Sequence, residues 1–395
     1  MARGTLDNAL NAGRGILQLM PNWIPRTFNR PGKRLRLHPD DYLGFGIQRG
    51  FIEERWLSST TCTQLDSCDA EEGLSRIRFA DNTSTLREAV ETFGAELIGD
   101  FLWKTYGRFP VFSKFFDYYY PSFHHVHHKK EEAERVGAQP KPEAYFFPPQ
   151  MNATTLGTRP IAYFGFDPAT TREQVLACLQ MYTGRDNHIT ELSRAYPLTL
   201  GTGWYTPAGV LHSTGSLCTY EPQWCSDVSS IWQNVDEGLQ RYDREYLFSY
   251  VPDDKKADLD YVLNIMDWEI NTDPDYRKKY YRPPILALED ETYVEKWIAY
   301  GTDNQFAAKE LTVMPGKEAM VRDSAAYGCI IIQGHGRFGV YKAEAAQMLR
   351  FGQPSADEYF VGERAARDGV RICNESDVEP MVILKHFAMN CGMPW

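Results

Sequence analysis

The sequence predicts a mainly β protein of two β-barrel or jelly-roll domains with helical insertions. Two observations support this fold class. In the last third of the chain, short apolar segments alternate with glycine and proline turns, from KWIAYG to MVILKHFAMN, a spacing typical of all-β sandwiches and barrels. In the first half, the apolar and aromatic segment 108–120 and the segment RPIAYFGFD carry further strand signals.

The chain has 395 residues, enough for two or three core-forming units. We predict an N-terminal arm with one short helix over residues 1–33, a first β domain over 34–240 and a helical connection over 241–284. A second β domain then covers 285–395. Residues 34–61 are predicted to form strands broken by glycines. Residues 83–107 are predicted to be helical with Ser84 or Thr85 as the cap, and a second helix follows Thr170 or Thr171.

Composition excludes several classes of function. Acidic residues outnumber basic ones by 53 to 42, a net charge of −11, which argues against a nucleic-acid or anionic-membrane surface. No uninterrupted apolar segment is long enough to predict a membrane span, and no secretory signal is recognisable. The eight cysteines lack CxxC spacing, which argues against a structural zinc site, so we expect free thiols and a cytoplasmic protein.

A candidate metal site begins in the stretch FHHVHH. His125 and His127 alternate, and in a β-strand such side chains point to the same face. Glu143 follows at the head of an aromatic segment, and the segment WYTPAGVLH ends at His212. Imidazole and carboxylate together suit a divalent metal ion. These four side chains are therefore the predicted ligands.

Other residues compete for the same roles. Glu131 and Glu132 stand closer to the histidines than Glu143 does, but they lie in the charged run KKEEAER, which is typical of a solvated loop. His124 and His128 alternate to the opposite face, where we expect surface or supporting groups. Lys114, on the strand before the histidines, is a candidate to point inward.

These motifs resemble a known family. PAGVLH has the P-x-G-x-x-H form of the second cupin motif, and HVH followed by a glutamate before an aromatic strand resembles the first. The order FPVFSKFFD, FHHVHH, KPEAYFF, TPAGVLHSTG and YEPQWCSD resembles class I mannose-6-phosphate isomerase. The resemblance covers roughly residues 80–235 and continues more weakly to the C-terminus. It implies a bicupin.

The resemblance also implies roles for residues. Its ligand set transfers to His125, His127, Glu143 and His212, binding one divalent ion. Zinc is the first expectation, with manganese, iron and nickel as alternatives. The resemblance further implies Glu221 and Lys141 as catalytic residues and Asp227 as a substrate-binding residue. Lys114 is predicted to bind substrate as well, from its position on the strand before the histidines.

The sequence departs from the family pattern near the predicted substrate. His125 and Phe123 stand where the family has glutamine and serine. After the Ser-Asp pair the chain runs SDVSSIWQN, with no basic residue before Arg241, whereas the family has an arginine and a lysine that hold a phosphate. The C-terminal domain has Arg322, Ser324 and Ile372 where the motifs expect histidines, and is predicted to be metal-free.

The predicted function is therefore aldose–ketose isomerisation through a cis-enediol, on an unphosphorylated or altered sugar. The expected partner is a small carbohydrate, and no nucleic acid or membrane is expected. Association into a homo-oligomer is compatible with the sequence. Two alternatives remain at this point. One is a different metal-dependent cupin enzyme (dioxygenase, epimerase or lyase), and the other is a non-catalytic sugar-binding cupin.

Overall fold

The computed structural model describes residues 2–63, 69–80, 83–152, 160–303 and 305–393. Strands of the first half are β1 (Ile16–Gln18), β2 (Asn22–Arg26), β3 (Phe51–Leu57), β4 (Val111–Phe116), β5 (His125–Val126), β6 (Glu143–Phe146), β7 (Ile161–Phe166), β8 (Ser193–Pro197), β9 (Gly203–Thr206), β10 (Leu211–Ser213), β11 (Thr219–Trp224) and β12 (Ser230–Ile231). Those of the second half are β13 (Tyr281–Arg282), β14 (Ile285–Glu289), β15 (Tyr293–Ala299), β16 (Phe306–Val313), β17 (Glu318–Val321), β18 (Tyr327–Gln333), β19 (His335–Phe338), β20 (Tyr341–Glu344), β21 (Glu358–Val361), β22 (Val370–Asn374) and β23 (Met381–Ala388).

Helices lie mainly between the strands of the first half and in the connection. They are α1 (Ala2–Ala12), α2 (Leu86–Phe93), α3 (Ala95–Ile98), α4 (Asp100–Tyr106), α5 (Lys130–Arg135), α6 (Arg172–Gln180), α7 (Arg244–Leu247), α8 (Leu259–Asn264), α9 (Trp268–Asn271), α10 (Tyr276–Tyr280) and α11 (Glu363–Asp368). Among the described residues, no helix is long and apolar enough to span a membrane.

The strands form four sheets, in two units of two sheets each. The N-terminal unit has a large sheet in the order β13-β9-β6-β11-β4-β3-β2 and a small sheet in the order β12-β5-β10-β7-β8. The C-terminal unit has a large sheet in the order β1-β21-β18-β23-β16-β15-β14 and a small sheet in the order β17-β22-β19-β20. The predicted mainly β fold class is confirmed.

The packing of β4 explains why its segment is almost continuously apolar. Every residue of β4 is buried. Val111 and Phe115 belong to a core that both units share, whereas Phe116 on the opposite face packs inside the N-terminal unit. The two large sheets therefore pack against each other, and a strand with both faces covered has no need for polar alternation.

The segment predicted as an arm is divided between the two units. Helix α1 ends at Ala12, and Gly15, with a φ of 86°, leads into β1. Strand β1 then pairs with β21 of the C-terminal unit, with Leu17 opposite Phe360. Strand β2 pairs with β3 of the N-terminal unit. Strands β1 and β2 therefore belong to different units, because of long-range pairing that no local sequence pattern predicts.

Glycines divide two of the predicted elements. In segment 34–61 only β3 is a strand, preceded by short 3-10 turns, because Gly46 and Gly50 have φ values of 91° and 75°. The helix predicted after residue 83 is confirmed with Thr85 as the cap, which forms a capping box with Glu88. It is broken into α2, α3 and α4 at Gly94 and at a second glycine five residues later.

Candidate metal centre and cavity

Three histidines meet between the two sheets of the N-terminal unit. His125 on β5 lies directly opposite His212 on β10, and their ring centroids are 4.1 Å apart. The ring of His127, two residues after His125, lies 4.9 Å from that of His125 and 5.1 Å from that of His212. One ligand nitrogen from each of the three lies within 4.8 Å of the other two. His125 on β5 and His127, just after that strand, thus reach one point, as the alternation predicts.

Backbone carbonyls orient all three imidazoles. The Nδ1 atom of His125 lies 3.0 Å from the carbonyl oxygen of Phe123, and that of His127 lies 2.8 Å from the carbonyl oxygen of Val228. The Nδ1 atom of His212 lies 2.9 Å from the carbonyl oxygen two residues before it. Because a carbonyl only accepts hydrogen bonds, we assign the proton to each Nδ1 and a free lone pair to each Nε2. This second contact is typical of histidines that bind metal ions.

Glu143 lies against the same nitrogens. It stands at the start of β6 in the large sheet, with 1% of its surface exposed. Its Oε1 is 2.9 Å from Nε2 of His212, and its Oε2 is 3.2 Å from Nε2 of His127. Tyr145 donates a hydrogen bond to Oε1. The Lys141 ammonium lies 3.2 Å from both His127 Nε2 and Glu143 Oε2, so one cation already contacts these donors. Three imidazole nitrogens and a carboxylate that converge on one point also form a donor set suited to a divalent ion.

Charges around the site favour neutral imidazoles beside an ionised carboxylate. Burial, reinforced by the Lys141 ammonium, lowers the pKa of His127 to about 3. Burial also lowers the pKa of His125 well below its usual value. For Glu143 burial opposes ionisation, but the Lys141 ammonium outweighs it and holds the pKa of the carboxyl group well below the usual range. Neutral imidazole and ionised carboxylate are the forms that bind metals.

A cavity of about 210 Å³ opens onto these residues, and it also contains Glu221, Lys114 and Lys141. Lys114 points inward, and its Nζ lies 3.3 Å from Glu221 Oε1. The Nζ of Lys141 lies 3.2 Å from Glu143 Oε2 and 3.9 Å from Glu221 Oε1. Burial and the charge of Glu143 raise the pKa of Glu221 to about 8, against the opposing effect of the lysines. A carboxyl group that titrates near neutrality inside a cavity is suited to proton transfer.

Sequence reasoning missed one ion pair in the cavity wall. Arg26 of β2 donates two hydrogen bonds of 2.8 Å to the carboxylate of Glu54 on β3. Tyr118 and Trp56 donate two more, of 2.6 Å and 2.8 Å. Both charged residues are buried and both line the cavity. The available signal was the run of charges inside the otherwise apolar strand FIEERWL.

Carboxylates exceed cations in the cavity wall. Asp227 lies at its edge, half-buried. Four carboxylates and three cations line the cavity: Glu54, Glu143, Glu221 and Asp227, and Arg26, Lys114 and Lys141. Each of the three cations already lies within 4.0 Å of a carboxylate oxygen.

The competing residues lie elsewhere. Glu131 and Glu132 are on α5, outside the cavity wall, and Glu132 pairs with Arg135. His124 and His128 point away from the cavity, as the alternation predicts, but neither is a surface group. Both are buried, and the Nδ1 of His124 lies 2.8 Å from the side-chain oxygen of Gln233.

Comparison with known proteins gives a result at the level of the fold. No protein-family model and no curated protein sequence matches the chain. Among solved structures, the mannose 6-phosphate isomerase of Bacillus subtilis is similar with a TM-score of 0.64, over 94% of this chain and 99% of that protein, at 16% identity. A variant of phosphomannose isomerase from Salmonella typhimurium is similar with a TM-score of 0.63, over 95% of this chain and 99% of that protein, at 12% identity.

A mannose 6-phosphate isomerase bound with zinc and yttrium gives the same TM-score of 0.63, over 95% of this chain and 99% of that protein, at 12% identity. The chain therefore has the fold of these isomerases over nearly its whole length. At such low identities the similarity extends to the fold alone, and the activity must be argued from the residues of this chain.

Proposed function

We propose that this chain is a metal-dependent sugar isomerase that interconverts an aldose and a ketose through a cis-enediol. The observation that carries the proposal is the convergence of His125, His127, His212 and Glu143 on one point of a cavity that also holds Glu221. The fold, similar to that of mannose 6-phosphate isomerases, supports the same reaction class.

His125, His127, Glu143 and His212 are the proposed ligands of one divalent ion, zinc in the first instance. Manganese, iron and nickel suit the same donors. A divalent ion held there would supply Lewis acidity toward the carbonyl and neighbouring hydroxyl oxygens of a sugar. The remaining steps fall to side chains of the chain itself.

Glu221 is the proposed base. Isomerisation requires a proton to leave C2 of the aldose and to return at C1, and a single carboxylate on one side of the sugar can carry out both transfers. A pKa near 8 lets Glu221 exchange a proton at neutral pH in either direction. Its Oε1 makes no hydrogen bond within the described ranges, and its charged neighbours are the two lysines at 3.3 Å and 3.9 Å.

The two lysines beside Glu221 are the proposed substrate donors. The Nζ of Lys141 lies between the ligand carboxylate and Glu221, a position from which it can donate to the oxygen that gains negative charge in the enediol. Lys114 approaches Glu221 from β4 and can donate to a hydroxyl farther along the sugar. Asp227, at the edge of the cavity, is the proposed acceptor for a sugar hydroxyl.

The substrate is proposed to lack a phosphate. A phosphate dianion needs arginine or lysine donors that are free to bind it. Here Arg26 is paired with Glu54 by two hydrogen bonds, and Lys114 and Lys141 each lie within 3.3 Å of a carboxylate oxygen. A free sugar, or a derivative with a neutral group in place of the phosphate, requires no unpaired cation and therefore fits the cavity better.

The test is a substrate screen with metal-loaded protein. Free aldoses and ketoses and their 6-phosphates are incubated in parallel, and interconversion is followed by NMR. We expect at least one free sugar to reach its aldose–ketose equilibrium. Turnover restricted to phosphate esters would overturn the substrate proposal, and oxygen consumption coupled to turnover would overturn the isomerase proposal.

A further inference from the structure

Strand β14 leaves a cluster of apolar side chains exposed at the edge of the large C-terminal sheet. It is the last strand in the sheet order, and within the described ranges only β15 pairs with it. Every residue of the strand is exposed, including Ile285 at 39%, Leu286 at 55% and Leu288 at 42%. A single exposed leucine is ordinary, but three such side chains on an open sheet edge form a template for association.

The charges that flank β14 have opposite signs at its two ends. Arg277 and Lys278 are exposed shortly before the strand, and together with Pro283 they line a shallow depression. Glu289, at the end of the strand, and the next residues, Asp290 and Glu291, are exposed acids. An antiparallel neighbour with the same sequence would therefore place its acidic end beside the basic depression, whereas a parallel one would bring like charges together.

We propose that two copies of this chain associate through the outer edges of β14, antiparallel and related by a two-fold axis. A register centred on Ala287 places Leu286 opposite Leu288 of the second copy. The same register places Glu291 of the second copy opposite Pro283, at the margin of the basic depression. The outer edge of β14 carries apolar side chains, a basic end and an acidic end, so it is complementary to itself. The partner that fits is therefore a second copy of this chain.

Side-chain packing and charge pairing are the main contacts of this interface. The pairing of β14 with β15 carries an irregularity between Leu286 and Leu288, and a bulge interrupts a regular ladder. Proline lacks an N–H group, so Pro283 and Pro284 limit backbone hydrogen bonding to the strand itself. Substitutions of apolar and charged side chains are thus the informative tests.

The first experiment measures mass by sedimentation velocity on the full chain over a wide dilution series. The wild type should show a species of twice the 45.3 kDa of one chain. The double substitution Leu286→Lys and Leu288→Lys should give the single-chain mass, because it places four ammonium groups in one small interface. Val378→Lys is the matched control: it replaces an apolar residue that is 88% exposed elsewhere, and should remain dimeric.

The second experiment tests the antiparallel arrangement by exchanging charges. Lys278→Glu alone and Glu291→Lys alone should each raise the dimer dissociation constant, by about tenfold for ~1.4 kcal/mol. The double variant restores opposite charges across the two-fold axis and should recover most of the wild-type affinity. Because all these residues are exposed, circular dichroism should show the wild-type fold in every variant.

Three outcomes would overturn the proposal. A wild type that keeps the single-chain mass at all concentrations removes the dimer. A dimer that persists in the doubly lysine-substituted variant, with its fold intact, locates the interface elsewhere. Charge variants that leave dimer affinity unchanged, singly and together, contradict the antiparallel arrangement.

Discussion

In the C-terminal unit, two lysines and two acids lie buried together, whereas in the N-terminal unit three histidines and a glutamate do so. Lys309 Nζ donates to Glu295 Oε2 at 2.9 Å and to Asp323 Oδ1 at 2.7 Å. Lys385 Nζ donates to the remaining oxygen of each acid. The four side chains form a closed ring in which every carboxylate oxygen has a donor.

The N-terminal cluster is open by the same criterion. Glu143 Oε2, Glu221 Oε1 and His212 Nε2 are buried, and none makes a hydrogen bond in the described part of the chain. Each has a charged neighbour that is close but poorly aligned: Lys141 at 3.2 Å, Lys114 at 3.3 Å and Glu143 at 2.9 Å, respectively. Buried polar groups without partners are costly, and a bound ligand is one way in which they are satisfied. We therefore interpret the closed ring as structural and the open cluster as a site, although both lie between the sheets of similar units.

The largest effect is expected from removing a proposed ligand of the open cluster. His127→Ala should abolish stoichiometric metal in elemental analysis, because it deletes one of four donors. His335→Ala, an exposed histidine of the C-terminal unit, is the control and should retain the metal. Full metal occupancy in His127→Ala would contradict the ligand set.

Removing the proposed base should affect turnover and leave the metal in place. Glu221→Gln is expected to lower kcat by about 10²- to 10⁴-fold, the usual contribution of general base catalysis. Elemental analysis of the same sample should give the wild-type metal content. Unchanged turnover would assign the proton transfer to another group.

Breaking the closed ring should affect stability and not metal binding. Lys385→Met leaves two buried carboxylates with one lysine between them, and should lower the free energy of unfolding by about 3–5 kcal/mol. Urea denaturation measures this change, with the exposed Lys342→Met as control, expected within about 0.5 kcal/mol of the wild type. If both variants unfold alike, the ring has no structural role.

The open cluster should also give a pH dependence in the metal-free protein. The pKa of Glu221 is raised to about 8 in the folded state from an ordinary value of 4.5. The folded chain therefore holds a proton that the unfolded chain releases. Its contribution to stability is fully present below the ordinary pKa, falls as pH rises and is lost above about 8. Glu221→Gln should show a flatter decline of the unfolding free energy with pH, and identical slopes would refute the raised pKa.

The smallest effect is expected on the stability of the protein when a sugar binds. A free sugar at about 100 times its Kd should add about 2.7 kcal/mol to the stability of the metal-loaded protein. Inorganic phosphate and sugar 6-phosphates should add none, because the cations of the cavity are already paired. Thermal unfolding followed by fluorescence measures the stability gain with each ligand. Clear protection by mannose 6-phosphate would contradict the proposal of an unphosphorylated substrate.

Local patterns were sufficient for part of the molecule. Short strands between glycine and proline turns predicted the mainly β fold, because strand period and turn preference depend on neighbouring residues. The alternation of His125 and His127 predicted a shared face for the same reason. Their convergence with Glu143 and His212 was also expected, from residue chemistry and from family resemblance.

Long-range strand pairing determined features of the fold that local sequence patterns do not predict. The crossing of β1 into the C-terminal sheet depends on a match with β21, more than 300 residues later. The pairing of Arg26 with Glu54, and the closed ring around Lys309 and Lys385, depend on which strands become neighbours.

By itself, the sequence determined the fold class and the chemical identity of the candidate ligands, since both follow from residue type and short-range period. Only the tertiary structure decided which buried charges are satisfied and which are left open. The free energy of a buried charge depends on the few atoms within about 4 Å of it, and those atoms come from strands far apart in the chain.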